Sequence, residues 1–317
     1  MPKVLISDSM SNVAQKIFEK NNITVDVKTG LSEEEIIKII PEYDGMVVRS
    51  ATKVTKNIIE AAKNLKVIGR AGVGVDNIDI ENATNLGIYV CNTPKASTQS
   101  VVELTLGHLL SSVRYLPRAD RHLRDGIWSK KELKGTELSG KKLGLVGFGR
   151  ISKGVADISH NLGMDIHYYD PFVKENNQFT SHNSIEELFD ECTHISIHCN
   201  LTDETKGLVN LDLIRRMPRY DSYGLECGNH IVNCARGGII NEEDALFALN
   251  DGSLSSLGLD VFEIEPSIGQ ELIQHENFHG TPHIAASTIE AQNRIGIEMV
   301  ELIDEFFKGV KPSTTLN

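Results

Sequence analysis

The chain has 317 residues, 40% hydrophobic and 24% charged, with a formal charge of −12 and a pI near 5.4. That length is too great for one small core and suits two domains. The acidic balance argues against a nucleic-acid surface, and no run approaches the roughly 18 consecutive apolar residues of a membrane span. Met1-Pro2-Lys3 leads straight into a strand pattern, so no signal peptide is expected, and five cysteines with no CxxC pair suit a reducing cytoplasm.

Residues 3–7 form an apolar strand candidate and 10–20 carry a helical pattern. Ile23 to Val27 alternates like a strand, and Ser32 with Glu35 three residues on is a capping box that opens a helix over 32–40. Strands follow at 45–49, 66–70 and 87–91, with helices over 55–63 and 78–86 between them. This alternation predicts a first domain with its own parallel sheet and helices on both faces. Functional residues in such a sheet cluster at the carboxyl ends of strands, where Arg49, Ser50, Arg70, Gly72 and Val73 fall. From Ser97 a long helical pattern runs to about Arg114, and a shorter one extends toward Arg124. The loop 126–131 then carries the single tryptophan, Trp128, among charges. It reads either as a contact with another subunit or domain or as an anchor on its own domain.

Leu143 to Val146 is short enough to be a buried parallel strand, and it meets Gly147-Phe148-Gly149. From Ile151 the apolar positions Ile151, Val155, Ile158 and Leu162 recur at helical spacing. Strand, glycine turn and helix form the context that a dinucleotide fingerprint requires; a turn that merely needs positive φ is the plain alternative. Gly147 allows a tight turn and Gly149 the close approach of a pyrophosphate at the helix N-terminus. Residues 164–169 read as the next strand, and Asp170 ends it, 23 residues after Gly147. A carboxylate there accepts from both ribose hydroxyls and repels a 2′-phosphate, which favours NAD over NADP. Ser152 stands where the fingerprint has its third glycine.

Farther on, Ser184 with Glu187 opens a short helix, and Cys192, His194, Ser196 and His198 alternate along a strand. Strand-face neighbours diverge from one centre and no fourth ligand is placed, so no metal is expected. A helix is read over 211–217, a strand over 230–234, a helix over 241–250, a strand over 255–261 and a long amphipathic helix over 287–307. Three stretches carry chemistry: Asn233-Cys234-Ala235-Arg236-Gly237-Gly238, Leu259-Asp260-Val261-Phe262-Glu263-Ile264-Glu265-Pro266 and Thr281-Pro282-His283. An arginine after a buried strand can approach a small anion bidentately, and a histidine is the natural proton donor or acceptor near neutral pH. A carboxylate hydrogen-bonded to that histidine fixes its tautomer. Taken singly, Arg236 could be a cap or an interface ion pair, His283 a satisfied core residue and Glu265 a surface turn.

On these motifs the chain resembles the D-isomer-specific 2-hydroxyacid dehydrogenases over nearly its whole length. The resemblance implies two doubly wound α/β domains with parallel sheets, a Rossmann-type NAD-binding domain (98–286) inserted into a flavodoxin-like substrate domain (1–97 and 287–317). It implies Arg236 as substrate clamp, His283 as acid/base and Glu265 as its partner. Cofactor contacts are expected at Gly147, Gly149, Arg150, Ile151, Asp170, Ala235 and Asp260, the last at the nicotinamide carboxamide. Substrate contacts are expected at Arg49, Ser50, Arg70, Gly72 and Val73, with Lys130 reaching across a homodimer. Two arginines suit a phosphorylated 2-hydroxy acid, so the expected reaction is NAD-dependent oxidation of 3-phosphoglycerate, in a form without the C-terminal regulatory domain of many relatives. The alternatives are a glyoxylate or hydroxypyruvate reductase, another D-2-hydroxyacid dehydrogenase, or a non-catalytic NAD-sensing corepressor. The segment 217–230 exceeds the family's usual turn by roughly eight residues, and it could form a flap near the cofactor or decorate the surface.

Overall fold

The computed structural model describes residues 1–173 and 177–317. The chain divides into two compact units, Met1–Thr98 with Ala286–Asn317, and Gln99–Ala285.

The first unit is built on β1 (Lys3–Ile6), β2 (Thr24–Val27), β3 (Gly45–Val48), β4 (Val67–Arg70) and β5 (Tyr89–Asn92). They run parallel in the order β2-β1-β3-β4-β5, the flavodoxin-like winding. Successive side chains of a strand point to opposite faces, and both faces are buried here. Leu5, Met46 and Ile68 pack with Ile36, Ile58 and Ile59 on one side. Val4, Ile6, Val47 and Val67 pack with Phe18, Met299 and Ile303 on the other. The helix Ile289–Phe307, capped by Thr288 Oγ1 accepting from Ala291 N–H, therefore completes this unit from the far end of the sequence. The Ser32/Glu35 capping box is present in both halves, at 3.3 and 2.8 Å.

The second unit holds β6 (Lys142–Val146), β7 (Asp165–Tyr169), β8 (Thr180–Ser181), β9 (His194–Ile197), β10 (His230–Asn233), β11 (Ser256–Leu259) and β12 (Phe278–Gly280). Their order is β12-β11-β10-β9-β6-β7-β8, all parallel. It is the doubly wound dinucleotide-binding order, with one strand more. Ile195, Ile231 and Leu257 face Leu188, Phe189 and Ala245 across one layer. Leu143, Leu145 and Val232 face Val101, Leu109 and Val155 across the other.

β8, β12 and the short helix Glu271–Gln274 are absent from the sequence reading, being too short to show a period. Segment 217–230 links the helix Leu211–Arg216 to β10 and so lies at the amino ends of the strands. It is a small antiparallel loop, bridged between Tyr220 and Glu226 and tied down by a buried Lys141–Asp221 ion pair at 3.1 Å. Of its two readings the flap fails: the glycine turn lies at the carboxyl end of β6, the opposite edge of the same sheet. Trp128 is 82% exposed and anchors nothing in its own unit.

Candidate active site

Every strand of the second sheet points its carboxyl end the same way, and the candidate residues sit in the loops at that end. After β6, Gly147 adopts φ 85°, and a Cβ on it would come within 2.9 Å of the Cys199 amide nitrogen. No other residue fits this tight approach. The turn is pinned to β7 twice: Gly147 N–H donates to Tyr169 O (2.8 Å) and Phe148 N–H to Asp170 Oδ2 (2.7 Å). Gly149 precedes the helix Arg150–Asn161, whose N-terminus has no side-chain cap, and the space where its Cβ would stand is open for 4 Å. A helix N-terminus without a side-chain cap, with a carboxylate at the end of the next strand, fits the diphosphate and ribose of a dinucleotide. Arg150 is exposed and Ile151 half-buried, and Ser152 at the third position is fully buried against the sheet.

After β10 the Asn233 side chain clamps its own turn, accepting from Ala235 N–H (2.9 Å) and donating to Arg236 O (2.8 Å). Gly237 then lies flat against the Phe262 carbonyl; a Cβ there would fall 1.8 Å from its oxygen. That contact brings the Arg236 turn against the loop after β11. In that loop Glu265 Oε1 accepts from Phe262 N–H (3.1 Å), while Oε2 lies 2.7 Å from His283 Nδ1. The imidazole is about half exposed and its backbone is left-handed at φ 53°, a conformation held only by its surroundings.

Those surroundings centre on Asp260, which is completely buried. Its Oδ1 accepts from Thr281 Oγ1 (2.6 Å) and Ile284 N–H (2.8 Å), its Oδ2 from Ala285 N–H (2.9 Å) and its carbonyl from His283 N–H (2.8 Å). Thus the residue expected at the carboxamide also wraps the whole 281–285 turn around itself. Sequence reasoning missed Glu242, whose Oε1 takes the Glu263 N–H at 2.6 Å. Burial, and after it the charges of Glu263 and Glu265, push its carboxyl upward against the pull of that N–H. The alternating Cys192, His194, Ser196 and His198 face local partners: His194 Nδ1 meets Thr193 Oγ1 and His198 Nε2 meets Ser196 Oγ.

In the first unit, Arg49 and Ser50 follow β3. Asp8, at the end of β1 and also missed, holds this loop by accepting from Arg49 N–H (2.5 Å), Thr52 N–H (3.2 Å) and Thr52 Oγ1 (2.8 Å). Asn77 Nδ2 closes it from behind on the carbonyls of Arg49 and Thr52, both at 2.6 Å. Arg70 ends β4, and its guanidinium occupies the room that the missing side chain of Gly72 leaves; Val73 follows in the same loop. Lys130 is exposed beyond the helix Leu116–Arg124 of the second unit. Among the described residues no cluster of metal-ligating side chains occurs, and no helix is long and apolar enough to cross a membrane.

Residues 106–285 match the family profile described as D-isomer specific 2-hydroxyacid dehydrogenase, NAD binding domain. The chain is 45% identical over 305 residues to a hydroxypyruvate reductase of Thermotoga maritima, covering 95% of this chain and 97% of that protein. It is 42% identical over 321 residues to D-3-phosphoglycerate dehydrogenase of Methanocaldococcus jannaschii, covering 100% of this chain but 60% of that protein. The human D-3-phosphoglycerate dehydrogenase gives 40% over 320 residues, covering 99% of this chain and 58% of its own length. The chain thus spans well under two thirds of those longer relatives. Among solved structures, NAD+-bound 3-phosphoglycerate dehydrogenase of Entamoeba histolytica superposes with a TM-score of 0.84 at 31% identity, covering 100% of this chain and 98% of that one. The TT0316 protein of Thermus thermophilus reaches a TM-score of 0.91, also at 31% identity, over 99% of this chain and all of that one.

Proposed function

The chain belongs to the D-isomer specific 2-hydroxyacid dehydrogenases, and on that premise we propose that it uses NAD to oxidise 3-phosphoglycerate to 3-phosphohydroxypyruvate, the first step toward serine. The 2.7 Å pair between His283 Nδ1 and Glu265 Oε2 carries this reading. A carboxylate only accepts, so Nδ1 holds the proton and Nε2 keeps its lone pair. In the oxidising direction Nε2 takes the substrate hydroxyl proton, and Glu265 stabilises the imidazolium that forms. Bound nicotinamide supplies the hydride acceptor. Arg236 orients the substrate carboxylate, a planar pairing that guanidinium favours. Gly147, Gly149, Arg150 and Ile151 cradle the diphosphate, Asp170 takes the ribose, and Ala235 and Asp260 serve the nicotinamide end.

Arg49 and Arg70 support the phosphorylated substrate, with Ser50, Gly72 and Val73 shaping their loops. A second reading, hydroxypyruvate reduction, is favoured by the relative of nearly equal length. Both are tested by NADH absorbance with 3-phosphoglycerate, glycerate, hydroxypyruvate and glyoxylate, each with NAD and with NADP. We expect turnover of 3-phosphoglycerate with NAD, and a KM for it raised about tenfold in Arg49→Ala, the loss of one charge-assisted bond. An equal KM for native and variant would move the assignment to the reductase.

The proposal extends to a homodimer formed through the Thr98–Arg114 helix and the arm after it, with Lys130 offered to the partner. The exposed apolar residues Leu116, Leu123, Ile127 and Trp128 support that arm as a covered surface. Five free cysteines support work in a reducing cytoplasm.

A further inference from the structure

Beneath the His283 turn runs a line of side chains to which the proposed chemistry gives no task. His108, buried on the Thr98–Arg114 helix, places Nε2 3.0 Å from Thr281 Oγ1, which lies 2.6 Å from Asp260 Oδ1. Thr281 spends its one proton on the carboxylate, so its oxygen faces His108 as an acceptor. His108 must then donate from Nε2, and Nδ1 carries no proton. The buried Nδ1 has no hydrogen-bond partner, which agrees with that tautomer.

A second imidazole braces the first. His279 stacks on His108 with ring centroids 5.1 Å apart and donates from Nε2 to the His108 carbonyl at 3.3 Å. Both rings use space left by Gly258, two residues before Asp260. A Cβ there would stand 2.7 Å from His279 Nε2 and 3.2 Å from His108 Nδ1. Helix, two strands and a missing side chain thus converge on one hydroxyl.

We infer that His108 is a positioning residue for the acid–base turn. Its Nε2–H, relayed through the Thr281 hydroxyl, holds the Asp260 carboxylate in the orientation that receives the Ile284 and Ala285 N–H groups. Those bonds in turn fix the left-handed backbone of His283. His108 moves no proton and touches no substrate. The kinetic readout rests on the dehydrogenase reading; the spectroscopic ones do not.

Nitrogen-15 NMR of the unmodified protein should find His108 protonated at Nε2, and protonation at Nδ1 would overturn the relay. In His108→Leu, amide exchange at Ile284 and Ala285 should accelerate about tenfold, as for one lost hydrogen bond, and kcat should fall by a similar factor with KM within about twofold. His108→Gln keeps an N–H at the same reach and should recover both. Unchanged exchange in the leucine variant, or equal loss in leucine and glutamine variants, rejects the inference. Thr281→Val, which also removes the hydroxyl's own bond to Asp260, should lose at least as much as the leucine variant, and the double variant should be no worse than Thr281→Val; additive losses count against the relay. Should His108→Leu fail to fold, Thr281→Val makes the same test. An unmodified protein that turns over no 2-hydroxy acid, yet has the Nε2 tautomer and the exchange response, sinks the dehydrogenase reading and supports the relay.

Discussion

Asp8 and Asp260 do the same structural job in the two units. Each is a buried carboxylate that follows a parallel strand and gathers donors from the loop after the neighbouring strand, β3 for Asp8 and β12 for Asp260. What they present differs. Asp8 holds a loop bearing Arg49, whose long, flexible side chain can follow a small backbone shift and still meet an anion. Asp260 holds His283, whose short side chain on a left-handed backbone has no such latitude. On the proposed function the first turn binds and needs charge, whereas the second transfers a proton and needs position, where misplacement by an ångström is costly. The second turn accordingly has the deeper bracing, through Thr281 to His108.

The contrast breaks most visibly at the imidazole itself. His283→Gln should lower kcat by about 10³-fold in stopped-flow or steady-state assays, within the range for removing a general acid–base, while NAD affinity by fluorescence titration changes little. Next come the two carboxylates. Asp260→Asn turns an amide N–H toward donors, and it should cost about 3 kcal/mol in denaturant unfolding, the scale for disrupting a buried charged group, together with most of the activity. Asp8→Asn should act mainly through KM for the phosphorylated substrate; a kcat loss as large as that of Asp260→Asn would erase the distinction between the two turns.

The smallest expected effect uses acid. All eleven histidines of the chain lie within Gln99–Ala285 and none in the first unit. Burial holds His194 well below its ordinary value and brings His198 and His279 to about 3 and His230 to about 4. The unfolded chain therefore takes up these protons first. The contribution is intact above pH 6.5 and is lost as pH falls from there toward the folded values, by about 1 kcal/mol per histidine between pH 6.5 and 5.5. Hydrogen exchange followed over that interval should show the second unit loosening ahead of the first. Equal loosening of both would remove histidine burial as the cause.

What was legible in the sequence is what local spacing encodes. Ser32 and Glu35 cap as their spacing says, and strand, glycine turn and helix fall where the apolar runs put them, because those patterns act over a few residues. The residue types at Arg236, Glu265 and His283 announced their chemistry, but only the fold sets Glu265 and His283 2.7 Å apart. Asp8, Glu242 and His108 left no local signal. Their partners lie some 40, 20 and 170 positions away, and a lone carboxylate or imidazole on an amphipathic element reads like any other. The added loop at 217–230 was visible as extra length, whereas its side of the sheet follows from strand polarity alone.

Trp128, the chain's one indole, stands in water on the loop between the helix Leu116–Arg124 and β6. Excited at wavelengths that the indole alone absorbs, which leaves out the buried Tyr43 and Tyr168, the emission of this protein is therefore a local probe of that loop. Melting the chain should scarcely shift the spectrum, since the ring is wet before and after. A second copy settling over the arm should turn the emission blue and shield it from iodide, so that a lamp and a quencher titration read assembly directly.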